Sequence, residues 1–431
     1  MRELVKKLIP HRLFHKIEPL GHQLEAILAN VVYGFPARKL KVIGVTGTDG
    51  KTTTSTLITA MLRNAGYNVG MMTTISLDLG DGPIPNPTRL TTVTSFSLQR
   101  GLKKLAKAKV DWVVLETTSH ALAQHRVWGV PYSVVAMTNI THEHLDYHGT
   151  FENYRDAKKR LFELCNANTK GLQTGVANID DPSGELFASA IKNPIRYGVK
   201  RGDLSAVKST TTTKGSTIKA QSAKGELNLA VNLPGSFNVY NALAAAGVGL
   251  AVGLTPKQIE EGIASLDSVE GRMTTVDEGQ DFSVIVDYAH TPGSFEKIFD
   301  EIRPVTKNRM IVVFGSAGRR DESKRPLQGE VAGRLCDVVV VTEEDDRDQD
   351  GEQIMNQIAD GAEQAGKVRN KDLFLIHDRA RAITKAIEIA KPGDTVLLLG
   401  KGHEKSILTN FGKKDWDEVG AARKALKAYK K

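Results

Sequence analysis

Residues 41–54 read KVIGVTGTDGKTTT, and this stretch decides the architecture. The apolar run Val42, Ile43, Val45 predicts a buried strand, and the apolar residues recurring from Leu57 to Leu62 predict a helix. Between them lies Gly47-Thr48-Asp49-Gly50-Lys51-Thr52. A strand, a glycine-rich turn and a helix N-terminus together make a phosphate cradle. The glycines let backbone N–H groups point inward, Lys51 neutralises the outer phosphates, and the Thr52 hydroxyl is placed to ligate Mg²⁺. The longer Walker pattern wants glycine where Val45 stands, so the match is to the shorter form GxxGKT. An ordinary strand-to-helix turn would explain the glycines, but not a Lys-Thr pair directly after the last one. The stretch is read as a nucleotide site.

Working outward, 431 residues are enough for two or three domains, each with its own core. A composition 40% hydrophobic and 25% charged excludes disordered and fibrous classes. Cys165 and Cys336 lie far apart without paired spacing, which predicts free thiols in a reducing cytosol. The chain has neither a membrane-spanning apolar run nor a signal peptide's apolar core, so a cytoplasmic protein is expected. The net charge of +8 is concentrated at the ends, in Lys6, Lys7, Arg12 and Lys16 and again in Lys413, Lys414, Arg423, Lys424, Lys427, Lys430 and Lys431. No aromatic-basic interleaving accompanies these ends, so small anionic substrates rather than nucleic acid are the expected partners. A monomer is expected.

Three segments follow from the patterning. Residues 1–40 form a helical leader, with Leu13, Ile17, Leu20, Leu24, Ile27, Leu28 and Val31 at roughly helical spacing. That stripe is expected to pack on its own domain, with contact to a membrane surface as the lesser alternative. From 41 to 270, strand-like runs (Trp112–Glu116, Tyr132–Thr138, Gly175–Asn178) alternate with helical stretches (Phe151–Leu164, Val239–Val252), predicting an α/β domain with a mostly parallel sheet. Thr/Ser/Lys-rich alternation between Asp203 and Leu233 predicts antiparallel hairpins at the sheet margin. From 271 to 431 the alternation restarts with Ser283–Asp287, Met310–Phe314, Val338–Val341, Leu373–Ile376 and Val396–Leu399, predicting a second doubly wound domain.

Several predicted strand ends carry residues that packing does not require. Glu116 leads into Thr117-Thr118-Ser119-His120, and its carboxylate suits Mg²⁺. His142, Glu143, His144, Asp146 and His148 resemble a metal cluster, but the spacing suits no structural zinc site and no cysteine lies near. The basic helix Tyr154-Arg155-Asp156-Ala157-Lys158-Lys159-Arg160 has a solvated face as its plain reading.

The phosphate loop is followed in order by LETTSHALAQHRV (115–127), TNITHEHLDYHGTFENYRDAKKRLF (138–162), PGSFNVYNALAA (234–245), GRM (271–273), DYAHTP (287–292), KRP (324–326) and LLLGKGHE (397–404). Together these stations resemble the ATP-dependent Mur ligases, most of all the MurE type, the muramoyl-tripeptide synthetases. The resemblance implies a P-loop central domain and a Rossmann-like C-terminal domain, with ATP and Mg²⁺ as cofactors. Gly47, Thr48, Asp49, Gly50, Lys51, Thr52 and Thr53 would hold the ATP phosphates, and Asn139, Asn238, Asn241, Arg272, Asp287 and His290 would face the nucleotide. Thr52, Glu116 and His144 would hold Mg²⁺, joined by Lys158 as a carbamate. Thr91, Thr92, Ser119 and Arg126 would bind the muramoyl peptide nucleotide. Arg325, Asp345, Arg347, Gly400 and Glu404 would grip the incoming amino acid. The implied reaction moves the γ-phosphoryl group of ATP onto a substrate carboxylate and lets an amine displace it.

Three departures from the family pattern stand out. The 40 residues ahead of the phosphate-loop strand cannot replace a uridine-binding domain of roughly 100 residues. Either the leader and central domain hold the nucleotide sugar alone, or the carrier differs. Asp49 stands where the family usually has Asn. The amino-acid motif, DNPR in diaminopimelate-adding members, reads Glu344-Asp345-Asp346-Arg347. Its arginine favours meso-diaminopimelate, while its acids leave L-lysine open. Two further alternatives are a folylpolyglutamate synthetase-like ligase, against which DYAHTP and THEHLDYHG stand, and a catalytically inactive Mur-like binding protein.

Overall fold

The computed structural model describes residues 11–73, 76–80, 82–85 and 94–429. They gather into two compact units. The first comprises residues up to Thr210 with Thr217–Val231 and Phe237–Leu266; the second comprises Thr211–Ser216, Asn232–Ser236 and the chain from Asp267 onward. Both are α/β, as the sequence predicts.

The first unit is built on β1 (Lys41–Thr46), β2 (Val69–Met72), β3 (Ser76–Asp78), β4 (Pro83–Pro85), β5 (Trp112–Glu116), β6 (Tyr132–Met137), β7 (Thr174–Asn178), β8 (Asn193–Gly198), β9 (Leu204–Thr212), β10 (Gly215–Ser222) and β11 (Gly225–Val231). They lie in the order β11-β10-β9-β8-β7-β6-β1-β5-β2-β3-β4. From β8 through β2 the neighbours run parallel. Val42, Ile43 and Val45 are buried because helices cover both faces of a parallel sheet, so a central strand reads as a continuous apolar run. From β1 the chain moves past the place of β5 to β2, returns to β5, and then crosses β1 to β6, so the sheet grows toward opposite sides of β1. Ligands favour the crevice at such a reversal, beyond the carboxyl ends of the strands. The phosphate loop leaves β1 at that end and enters the helix Lys51–Asn64. The basic stretch forms the helix Phe151–Ala167, and the apolar one Phe237–Val252. At the margin, two-residue turns (Thr213-Lys214 and Ala223-Lys224) link β9, β10 and β11.

The helix His11–Tyr33 differs from expectation in which face it buries. It packs against the helix Ser95–Lys107. Among its described side chains, those of residues 21–33, His22, Ala26, Ala29 and Asn30 are buried, whereas Leu24, Leu28, Val31 and Val32 are 54–67% exposed. Small side chains let the two helices approach closely, and Asn30 Nδ2 donates to Ala26 O and Trp128 O at 2.9 Å each. Among the described side chains, Leu24, Leu28, Val31 and Val32 are left outside, and Ile27 is partly buried.

The second unit holds β12 (Thr274–Thr275), β13 (Ser283–Asp287), β14 (Met310–Phe314), β15 (Val338–Val341), β16 (Leu373–Leu375) and β17 (Thr395–Leu399), ordered β12-β13-β17-β14-β15-β16. All neighbours are parallel except β12 with β13. The five apolar runs read from sequence are its five parallel strands. A core cluster including Val286, Val313, Val340, Ile383, Leu398 and Leu426 fills the space under the sheet. The hairpin β18 (Ser406–Thr409) and β19 (Gly412–Asp415) was not legible in advance, because Gly-Lys-Lys-Asp carries no strand signal.

Candidate active site

The phosphate loop is held from below by side chains of three other segments. Gly47 and Gly50 have φ of 149° and 79°, a region costly for other residues. A Cβ at Gly47 would run into Thr138 Oγ1, and one at Gly50 into Asn241 Oδ1. Asn241 also accepts from Thr54 Oγ1 at 3.2 Å and donates to Asn238 Oδ1 at 2.8 Å. Asn139 Oδ1 accepts from the Asp49 N–H at 2.9 Å, while Thr138 Oγ1 and Asn139 Nδ2 donate to Asp49 O at 2.6 and 3.2 Å. Asn139 and Thr138 thus hold the loop backbone by hydrogen bonds, and Asn241 packs against it at Gly50.

Lys51 folds back over this loop, its Nζ donating to Gly47 O at 3.1 Å and Thr48 O at 2.7 Å. Thr52 Oγ1 donates to Glu116 Oε2 at 3.0 Å, which places a hydroxyl and a buried carboxylate together at the mouth of β1 and β5. Thr53 is buried in the first turn of the helix.

Lys158 is not on a solvated face. It is 2% exposed, and Nζ donates to Gly47 O at 2.5 Å and lies 4.6 Å from the centre of the Tyr154 ring. Burial above all, then the charge of Lys51, holds its pKa well below the ordinary lysine value. Tyr154 is the joint of the cluster, a residue sequence reasoning passed over. Its hydroxyl lies 2.9 Å from Thr48 Oγ1 and 3.5 Å from Glu143 Oε2.

The histidines stack with one another and with tyrosines. His120 meets His144, Tyr147 and His148 at ring distances of 4.7, 4.5 and 5.4 Å. His144 adopts φ 55° and lies 6.2 Å from the Tyr154 ring. Ser119 is buried with its hydroxyl 3.0 Å from His148 Nε2. Arg126 follows the helix Ser119–Ala123, its N–H donating to Ala121 O at 2.9 Å. Thr91 and Thr92 lie outside the described residues.

In the second unit, the carboxyl ends of β13, β15 and β17 carry the remaining candidates. Asp287 Oδ2 accepts from Met273 N–H at 2.9 Å and Oδ1 from Ala289 N–H at 2.8 Å. Burial raises the Asp287 carboxyl and lowers His290, which keeps the imidazole neutral. Arg272 lies 5.3 Å over the Tyr288 ring. Lys401, fully buried, donates to Asp345 Oδ1 at 2.8 Å and Glu404 Oε2 at 2.6 Å. This lysine, legible only as a letter of GKGHE, binds two of the candidate amino-acid ligands into one network. Glu344 lies beside it, with Oε2 lacking a hydrogen-bond partner and its carboxyl pushed up to about 7 by burial. Gly400, φ 103°, leaves room for that carboxyl: a Cβ would come within 2.9 Å of Glu344 Oε2. Arg347 Nη1 donates to Gly318 O at 2.9 Å. Arg325 is only 2% exposed, and its Nη atoms donate to Gln357 and Gln349 at 2.7 Å each. It is built into the wall rather than presented to solvent.

The fold and the loop define a P-loop α/β protein with a second α/β unit. Family models for the Mur ligase middle domain and the Mur ligase glutamate ligase domain match residues 45–249 and 271–402. The chain belongs to the Mur ligase family. It is 43% identical over 413 residues to a UDP-N-acetylmuramyl-tripeptide synthetase of Roseiflexus sp. (strain RS-1), covering 93% of this chain and 81% of that protein. It is 40% identical to a UDP-N-acetylmuramoyl-L-alanyl-D-glutamate–2,6-diaminopimelate ligase of Geobacillus thermodenitrificans (strain NG80-2), covering 95% and 84%. A solved structure of a ligase of that same name is similar with a TM-score of 0.68 at 31% identity, covering 91% of this chain and 79% of that one.

Proposed function

We propose that this protein is an ATP-dependent amide ligase that adds a diamino acid, meso-diaminopimelate in preference to L-lysine, to UDP-N-acetylmuramoyl-L-Ala-D-Glu in peptidoglycan precursor synthesis. The observation that carries the reading is the Lys51, Thr52, Glu116 and Lys158 cluster around the phosphate loop. The relatives named above support the acceptor.

The residues fit ATP and Mg²⁺. The glycine cradle is one that a Cβ would fill, and the Thr52–Glu116 pair is a hard-oxygen donor set. Thr52, Glu116 and His144 would hold the metal, which when bound offsets charge between phosphate oxygens. Lys51, now on Gly47 O and Thr48 O, would turn to the phosphates and offset the charge that develops on their oxygens. The neutral Lys158 amine is the form that attacks CO₂. One N–C bond forms and one proton leaves, exchanging a buried amine for a carboxylate-bearing carbamate facing the loop. A substrate carboxylate is a poor acyl donor; phosphorylated by ATP it becomes an acyl phosphate, which the amine of the amino acid displaces with loss of phosphate.

The preference for diaminopimelate rests on Arg347. A guanidinium grips a second carboxylate through two parallel hydrogen bonds, whereas a lysine substrate would bring an ammonium toward it. Against this stand the acids Glu344, Asp345 and Asp346; Asp345 is already neutralised by Lys401. The test is ADP release with the muramoyl dipeptide nucleotide and each amino acid in competition, repeated with Arg347→Ala. Diaminopimelate should win in the parent and lose its advantage in the variant. Faster use of lysine by the parent sinks the specificity, and ADP release indifferent to the acceptor sinks the ligase reading.

A further inference from the structure

The helix His11–Tyr33 is inside out. Over its described side chains the buried face holds His22, Ala26, Ala29 and Asn30, and the outer face holds Leu24, Leu28, Val31 and Val32. The outer four recur at intervals of four, three and one, so they form one stripe along the helix. A stripe of large aliphatic side chains over half exposed is the arrangement that folding alone works against, and it marks a surface meant to be covered.

What surrounds the stripe selects the cover. The helix Ser95–Lys107 packs against this helix and against the short turn Pro36–Lys39. Its outer residues Arg100, Lys103, Lys104 and Lys107 are exposed, as are Lys109, Arg38 and Lys39. Two of these cations reach the end of the striped helix: Arg100 Nε donates to Tyr33 OH at 3.1 Å, and Lys103 Nζ lies 5.6 Å over the Tyr33 ring. Glu25 is the sole acid in residues 21–40 and 94–110, and it is paired with His22 at 3.7 Å. An apolar stripe beside a bank of cations almost free of acids matches a bilayer with anionic headgroups. The aliphatic side chains enter the boundary of the acyl chains while the cations meet the lipid phosphates. A second copy would bring like charge against like charge, and a nucleic acid would leave the stripe in water.

We propose that this face seats the protein on an anionic membrane surface, with the helix His11–Tyr33 lying in the plane of the interface. No described helix is long and apolar enough to cross a membrane, so the contact is peripheral. The proposal does not depend on the ligase reading.

The experiment is cosedimentation of the full chain with vesicles rich in phosphatidylglycerol and, separately, with pure phosphatidylcholine vesicles. Binding is expected only to the former and should weaken as salt rises. Each of Lys103→Gln, Lys104→Gln and Lys107→Gln should weaken it by about fivefold. The double variant L24Q/L28Q should abolish it; both positions point outward and glutamine is a good helix former, so the fold is retained, checked by circular dichroism and by an unchanged melting temperature. No binding to phosphatidylglycerol, equal binding to both vesicles, or binding that survives L24Q/L28Q overturns the proposal. So does a dimer, seen by light scattering without vesicle binding, that L24Q/L28Q dissociates; that result assigns the face to a second copy.

Discussion

Lys158 is buried and next to Lys51, with its Nζ on the Gly47 carbonyl and near the Tyr154 ring, and burial and Lys51 outweigh the opposing pull of Glu143, Asp49 and Glu116. Those surroundings favour the neutral amine and hence carbamate formation. Lys158→Ala should cut ligase activity by on the order of a hundredfold or more, as loss of a positioned charge in a site does, and short carboxylates should restore part of it. Labelled bicarbonate should give a carbamate ¹³C resonance in the parent that the variant lacks. Full activity in Lys158→Ala would remove the role. Glu344 shows the complementary strain. Its carboxyl is raised from 4.5 to about 7 by burial, so between those values the folded chain keeps a proton that the unfolded chain has released. Stability on this account falls as pH rises through that window, and the penalty is complete above it. Glu344→Gln removes the proton exchange, so its melting temperature should exceed the parent's at pH 8 and approach it near pH 4.5. A variant that gains nothing at alkaline pH would show that Lys324 and Lys401 neutralise Glu344 after all.

At the scale of elements, the phosphate loop works because other segments dictate its backbone. Gly50 lies in the left-handed region with Asn241 against it, so Gly50→Ala meets both a φ penalty and a clash. A cost of about 1–3 kcal/mol is expected from such strain, together with loss of ATP binding by calorimetry. Unchanged nucleotide affinity would mean that the loop has slack which these contacts do not show. The loop, its strand and its helix were legible in sequence because glycine and lysine positions carry the chemistry directly. Tyr154, Thr138 and Lys401 were less so, because their meaning lies in contacts across 89 to 106 residues for Thr138 and Tyr154 and across 56 for Lys401. Periodicity also misled at the leader. Counting apolar residues predicted Leu24, Leu28 and Val31 to be buried, but close helix approach favoured Ala26 and Ala29, whose value lies in being small; Ile27 is partly buried, and the side chains of Leu13, Ile17 and Leu20 lie outside the described residues. The glutamine partners of Arg325, Gln357 and Gln349, could be seen only in the fold.

The described residues gather into two compact units, and the chain passes between them more than once. One cluster includes Val42, Leu102, Val113, Tyr132 and Leu161; the other includes Val286, Val313, Ile383 and Leu398. The short segment Thr211–Ser216 belongs to the second unit through polar bonds, Lys214 to Asp277 at 3.0 Å and Ser283 to Thr213 at 3.0 Å. Each unit has its own buried aliphatic cluster, the main source of its stability, so each is expected to unfold on its own. Unfolding should therefore show two calorimetric transitions rather than one. Ile383 is fully buried in the second cluster, and Ile383→Ala should cost about 2–5 kcal/mol there. For domains of this size that lowers one transition by roughly 4–20 °C, while the other, reporting the core beneath the phosphate loop, should hold its place. A single transition that moves as a whole in Ile383→Ala would mean that the two units share their stability, and the division drawn from the packing would not survive.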